Sequence, residues 1–228
     1  MIRDEVLVLK GNPYISYLQL LKHIYRFHIE YESEPNEENN DKGSMVWGSE
    51  PISVSIDFAR AMIDFNDIIR VTPLKGLEAY DQYKRQVLYG ENVDGFEYSY
   101  YGRLREYAPD GQIYDQIGMM IKRLKDYPQT RRGISITWKP DEDPFNLHTP
   151  CLQLIQCQID QQTGKLEMQT IWRSRDMFKA WPMNVYAMLY LMWDIAKAVN
   201  VVPGIYRDYS IHPHIYMEDI PQIERLIR

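Results

Sequence analysis

The stretch from Asn184 to Val199 is apolar around most of its circumference: Val185, Tyr186, Met188, Leu189, Leu191, Met192, Trp193 and Ile195 leave no continuous polar stripe to face water. A helix of that kind is stable only when other elements surround it, so the stretch predicts a buried central helix and a layered fold thick enough to enclose it. At 228 residues the chain supplies that thickness in a single unit, because one core grows to roughly 250 residues before chains divide. The expectation is one domain over 1–228.

Around this helix the hydrophobic period switches repeatedly. Tyr14 to His28 carries Leu18, Leu21, Ile24 and Tyr25 at helical spacing, and Leu77 to Tyr89 predicts a second helix ended by Gly90. Ile113, Ile117, Met120, Ile121 and Leu124 predict an amphipathic helix that stops before Pro128. Pro51 to Ile69 mixes β-branched and aromatic residues in the manner of strands, and Phe96 to Tyr101 reads as a strand or extended loop closing at Gly102. Gly133 to Trp138, Cys151 to Ile159 and Lys165 to Trp172 predict three successive strands, the last two joined by a turn around Gln161 to Gly164. Tyr206 to Tyr216 predicts a further strand, followed by a short helix from Ile220. The class is therefore α/β (α+β): a mixed sheet of about six strands flanked by the Ile113–Asp126 and Asn184–Val199 helices. Residues 32–44 are acidic and polar, cannot bury anything, and are expected to form a mobile loop.

A content of 45% apolar residues excludes global disorder, and a net charge of −6 argues against nonspecific nucleic-acid binding by the chain as a whole. Met1 to Glu5 lack the apolar core of a secretory signal and no stretch is long enough for a membrane span, so the cytoplasm is the expected location. Cys151 and Cys157 lie six apart on one expected strand, on one face and beyond disulfide reach, so both are expected as free thiols. His148, His212 and His214 have no regular ligand spacing with carboxylates or thiols, and no metal is expected.

The chemistry gathers at Cys151. It follows Pro150, with Arg131-Arg132 about twenty residues before it and Arg173-Ser174-Arg175-Asp176 about twenty after it. A thiol attacks as thiolate, and nearby guanidiniums favour that form while also binding anions. The pattern points to covalent chemistry on a phosphorylated small molecule.

Thr130-Arg131-Arg132, Pro150-Cys151, Arg173-Ser174-Arg175-Asp176, Trp181-Pro182-Met183-Asn184 and His214-Ile215-Tyr216 resemble, in order and spacing, the motifs of the thymidylate synthase family over roughly Phe96 to Ile220. Tyr101-Gly102-Arg103-Leu104-Arg105, Asp115-Gln116-Ile117 and Ser210 to Tyr216 are closest to its short archaeal-type branch. The resemblance implies that Cys151 adds to C6 of dUMP, that C5 takes a one-carbon unit from methylene-tetrahydrofolate or methylene-tetrahydromethanopterin, and that reduction gives dTMP. It further implies that Arg173 and Ser174 bind phosphate and that Arg131 and Arg132 reach it across a homodimer whose sheets pack face to face. Asn184 would read the pyrimidine edge, His214 and Tyr216 the ribose hydroxyl, Asp176 would lie near pterin and pyrimidine, and Tyr101 would help remove the C5 proton. Alternatives are a pyrimidine nucleotide hydroxymethylase and a noncatalytic nucleotide- or RNA-binding member of the family; a cysteine hydrolase using His148 or His214 lacks a third orienting residue.

The chain also departs from the family. Leu152 stands where a histidine usually follows the nucleophile, candidates for the helix glutamate are Glu78, Asp81 and Glu91, and those for an N-terminal phosphate arginine are Arg60 and Arg70. The chain ends at Arg228, short of the C-terminal lid of the family's longer forms, which leaves both pterin donors open.

Overall fold

The computed structural model describes residues 6–34, 43–73, 76–92, 98–146 and 148–228, without the side chains at 62–64. Most of the expected acidic loop lies outside the described residues. Among those described, the strands are β1 (Leu7–Gly11), β2 (Ile29–Glu32), β3 (Met45–Gly48), β4 (Ile52–Asp57), β5 (Ile134–Ile136), β6 (Leu152–Ile159), β7 (Leu166–Asp176) and β8 (Pro203–Tyr216). The helices are α1 (Pro13–Phe27), α2 (Phe58–Val71), α3 (Leu77–Tyr89), α4 (Tyr100–Arg105), α5 (Gln116–Asp126), α6 (Ala180–Val199) and α7 (Ile220–Ile227).

All eight strands join one mixed sheet. Its main path of six strands runs β1-β4-β8-β7-β6-β5, in which β1 was not foreseen from the sequence, and the β2–β3 hairpin adds to the end of β8 through β3. β1–β4 and β7–β8 are parallel and the other pairs antiparallel. A parallel pair needs a crossover, and α6 supplies the one between β7 and β8. That places the apolar helix in the core, where Trp181, Val185, Met192 and Ile195 are buried. It begins four residues earlier than expected, and Trp193 is the exception to its burial, 46% exposed and stacked on Phe58. Along Leu166–Trp172 and Tyr206–Ser210 alternate residues are buried, while their neighbours Glu167, Gln169, Ile171, Arg207 and Tyr209 are only partly covered.

Two expectations are corrected. The strand-like reading of Pro51 to Ile69 holds only through Asp57. There the carboxylate caps a new helix by accepting from the Arg60 N–H at 3.2 Å, and Phe58, Ala61, Phe65, Ile68 and Ile69 bury one helical face. The extended reading of Phe96 to Tyr101 falls partly outside the described residues, and from Tyr100 the chain is helical. The Ser99 hydroxyl caps that turn by accepting from the Gly102 N–H at 2.9 Å, which overrides the strand preference of the tyrosines. Gly90 ends α3 as expected, in the left-handed conformation at φ +71° that glycine adopts without strain.

Candidate functional site

The reactive segment is held from both sides before any side chain matters. Cys151 stands just ahead of β6 and its carbonyl accepts a hydrogen bond from the Arg173 N–H of β7 at 2.8 Å. The Arg173 guanidinium then turns back on the same loop: Nε donates to the Pro150 carbonyl at 3.1 Å, and a terminal nitrogen donates to the Thr149 carbonyl at 3.1 Å and to its hydroxyl at 2.6 Å. Thr137 donates to the Leu152 carbonyl from the β5 side, and the Leu152 N–H donates to the Tyr100 hydroxyl at 3.4 Å. A β-bulge between Leu152 and Leu154 interrupts the pleat, so even spacing does not carry the two cysteines to one face as expected. Cys157 is fully buried, whereas Cys151 keeps partial exposure; both are free thiols.

Cys151 opens into a cavity of about 850 Å³, within the range of small-molecule sites. Arg173, Ser174, Asp176, Asn184, His214 and Tyr216 line it with the thiol, so most of the expected site residues meet in one place. Strand β7 delivers the first three, α6 delivers Asn184, and β8 delivers His214 and Tyr216 two residues apart on one face. Arg131 and Arg132 are exposed and do not line this cavity. Tyr101 does not reach it either; its ring packs on Gly90, where an added Cβ would lie 2.7 Å away. The side chains nominated for the helix glutamate and the N-terminal arginine are also elsewhere: Asp81 binds Lys84 and Tyr186, Glu91 pairs with Arg85, Arg70 with Asp67, and Glu78 and Arg60 are exposed.

Other cavity residues carried no role in the sequence. Tyr83, Tyr98 and Tyr100 put three phenols on its wall, and the Asn184 amide donates to the Tyr83 hydroxyl at 2.5 Å. Arg175 is 2% exposed and forms a two-pronged ion pair with the buried Asp208, whose carboxylate also accepts from Trp181 Nε1 at 2.8 Å and the Tyr206 hydroxyl at 2.9 Å. Its guanidinium lies 4.5 Å over the Trp172 ring. Asp143, a buried lining residue, receives both prongs of Arg103 at 3.0 and 2.6 Å. The RSRD motif drew attention to position 175, but its partner lies on another strand, invisible to local pattern.

The electrostatics correct one expectation. Burial pushes the Cys151 thiol up from its ordinary value, and Arg173, then Arg175, pull it back only in part. Desolvation wins, so the thiolate is not the resting form of the free protein. Burial also raises Asp176, against the pull of the Phe178 and Lys179 N–H groups that its carboxylate accepts. His214 is lowered by burial and is neutral at pH 7, its Nδ1 lying 3.5 Å from the Ser174 hydroxyl. Among the described residues, no group of three or more His, Cys, Asp or Glu is placed to hold a metal ion, and no helix is long and apolar enough to cross a membrane.

Fold and site together define a mixed α/β protein with a cysteine and an arginine-bearing strand converging on one cavity. The family model described as thymidylate synthase matches residues 58–228, and the chain belongs to that family. It is 34% identical over 151 residues to a protein of Methanosarcina mazei, a match covering 66% of this chain and 67% of that one. It is 35% identical over 151 residues to one of Methanosarcina barkeri, with the same coverage, and 36% identical over 141 residues to one of Methanopyrus kandleri, covering 62% of this chain and 65% of that one. Each of the three carries the name "Putative thymidylate synthase".

Proposed function

We propose that the chain makes dTMP from dUMP, through a bond between Cys151 Sγ and C6 of the pyrimidine. The observation that carries the reading is the meeting of Cys151, Arg173, Ser174, Asn184, His214 and Tyr216 on one cavity. Attack at C6 breaks the ring's conjugation and moves electron density to C5 and O4, so C5 becomes the nucleophile that takes the one-carbon unit. A bound phosphate adds negative charge beside Arg173, and the same guanidinium that braces Thr149 and Pro150 then links substrate binding to the position of the thiol. The Asn184 carboxamide accepts from uracil N3–H and donates to O4, which suits uracil over cytosine. His214 and Tyr216 serve the ribose hydroxyl.

Two lining residues support a second, flat co-substrate in the same cavity. Trp138 offers a ring on its wall, and Asp176 offers a carboxyl that burial biases toward its protonated form. A methylene-tetrahydropterin, folate or methanopterin, would supply the carbon and the hydride there. A homodimer with Arg131 and Arg132 entering the partner's phosphate site is supported by their exposure away from this chain's own cavity and by the partly covered face of β7 and β8. Tritium release from 5-tritiated dUMP, followed by mass spectrometry of the product, tests the reading. Release abolished by Cys151→Ala, with a product heavier than dUMP by the mass of one CH2 as methyl replaces the C5 hydrogen, supports it; a hydroxymethyl product replaces the final reduction with addition of water, and no release with either pterin overturns it.

A further inference from the structure

When a thiolate adds to C6 of uracil, the electron pair leaving the C5–C6 double bond is shared with O4, which becomes enolate-like. A hydrogen-bond donor at O4 therefore acts on the addition step itself. The carboxylates on the cavity wall are ill placed to serve as an acid there: Asp143 is bound by Arg103, Asp176 accepts two backbone N–H groups, and Glu34 is exposed. The residue bonded to Asn184 is a phenol. Tyr83 projects from α3, and its oxygen accepts from the Asn184 amide at 2.5 Å. That bond uses the phenol as acceptor, and no described residue accepts its proton. The other two phenols differ: Tyr98 and Tyr100 pack ring edge to face, and the Tyr100 hydroxyl accepts the Leu152 N–H. Burial pushes Tyr83 up, with Tyr98 and Cys151 adding to the effect, so it stays protonated and able to donate throughout the neutral range.

We propose that Tyr83 is the hydrogen-bond donor that works with Asn184 at O4 of the pyrimidine, stabilising the enolate formed when Cys151 adds to C6. This rests on the reading that dUMP is the substrate. The step balances without any further reactant: the S–C6 bond forms as the C5–C6 π bond breaks, charge passes to O4, and Tyr83 and the Asn184 amide hold it by hydrogen bonds that loosen when the thiolate is later eliminated. The amide bond to Tyr83 also polarises the phenol and fixes the Asn184 rotamer, so the pair acts as one unit.

The test is Tyr83→Phe, which removes one oxygen and keeps the ring. Turnover in the tritium-release assay is expected to fall on the order of a hundredfold, the usual loss for one donor at a developing oxyanion, while the dissociation constant of dUMP measured by calorimetry changes less than about fivefold, as expected for one neutral hydrogen bond. Replacing Tyr83 by 3-fluorotyrosine, a stronger donor of nearly the same shape, is expected to preserve dUMP affinity and shift the rate of covalent capture of 5-fluoro-dUMP. Unchanged turnover in Tyr83→Phe overturns the proposal. So does a loss of affinity that matches the loss of rate, and if the phenylalanine variant fails to fold, a capture rate indifferent to fluorination does the same. A wild-type protein that neither binds dUMP nor releases tritium instead overturns the function proposed above.

Discussion

The Arg173 N–H donates to the Cys151 carbonyl at 2.8 Å while the Arg173 side chain grips Thr149 and Pro150, so one residue sets both the backbone and the electrostatics of the thiol. Because burial raises Cys151 above the ordinary thiol value and Arg173 opposes this, iodoacetamide alkylation should show an inflection above that of a free thiol. Arg173→Gln should move the inflection still higher. Mass spectrometry should find the label on Cys151, with buried Cys157 unlabelled.

The same shift sets a stability slope. The folded Cys151 holds its proton more tightly than the unfolded chain does, so its contribution is fully present below the unfolded thiol value and is lost as pH rises through the folded one. Urea unfolding should therefore show Cys151→Ser losing part of the wild-type decline in stability at alkaline pH.

Arg175 and Asp208 are each about 1% exposed along their side chains. Removing one charge of such a pair strands the other, at a cost of about 3–5 kcal/mol. Asp208→Asn and Arg175→Met should each lower stability by that order in urea melts. The double variant should lose less than the sum of the two, since neither charge is then left unpaired.

Asn184 is the reader of the base edge in the proposed function. Asn184→Asp exchanges the amide donor for an acceptor that suits the cytosine amino group. Competitive binding should show preference moving from dUMP toward dCMP by at least about tenfold, the worth of one charged hydrogen bond.

Much of this was legible because it is local. The RSRD run of β7 and the His214-Ile215-Tyr216 end of β8 sit on strands whose period the sequence states, and Asn184 rides on the helix whose apolar girth requires a central position. What sequence reasoning missed depends on distance or on caps. Tyr83 meets Asn184 across 101 residues and Asp208 meets Arg175 across 33, inside regular elements with nothing to mark them. Asp57 and Ser99 turned strand-like stretches into helices through single capping bonds. The β2 strand, Ile29–Glu32, is only four residues long and exposed at every position, too short a run for its alternation to stand out beside the acidic stretch that follows.

Incubation with 5-fluoro-dUMP and a methylene-tetrahydropterin, followed by proteolysis and mass spectrometry, tests the central claim most directly. A nucleotide adduct on the Cys151 peptide is the predicted result. Labelling of another residue, or none under conditions where the nucleotide demonstrably binds, would contradict the account.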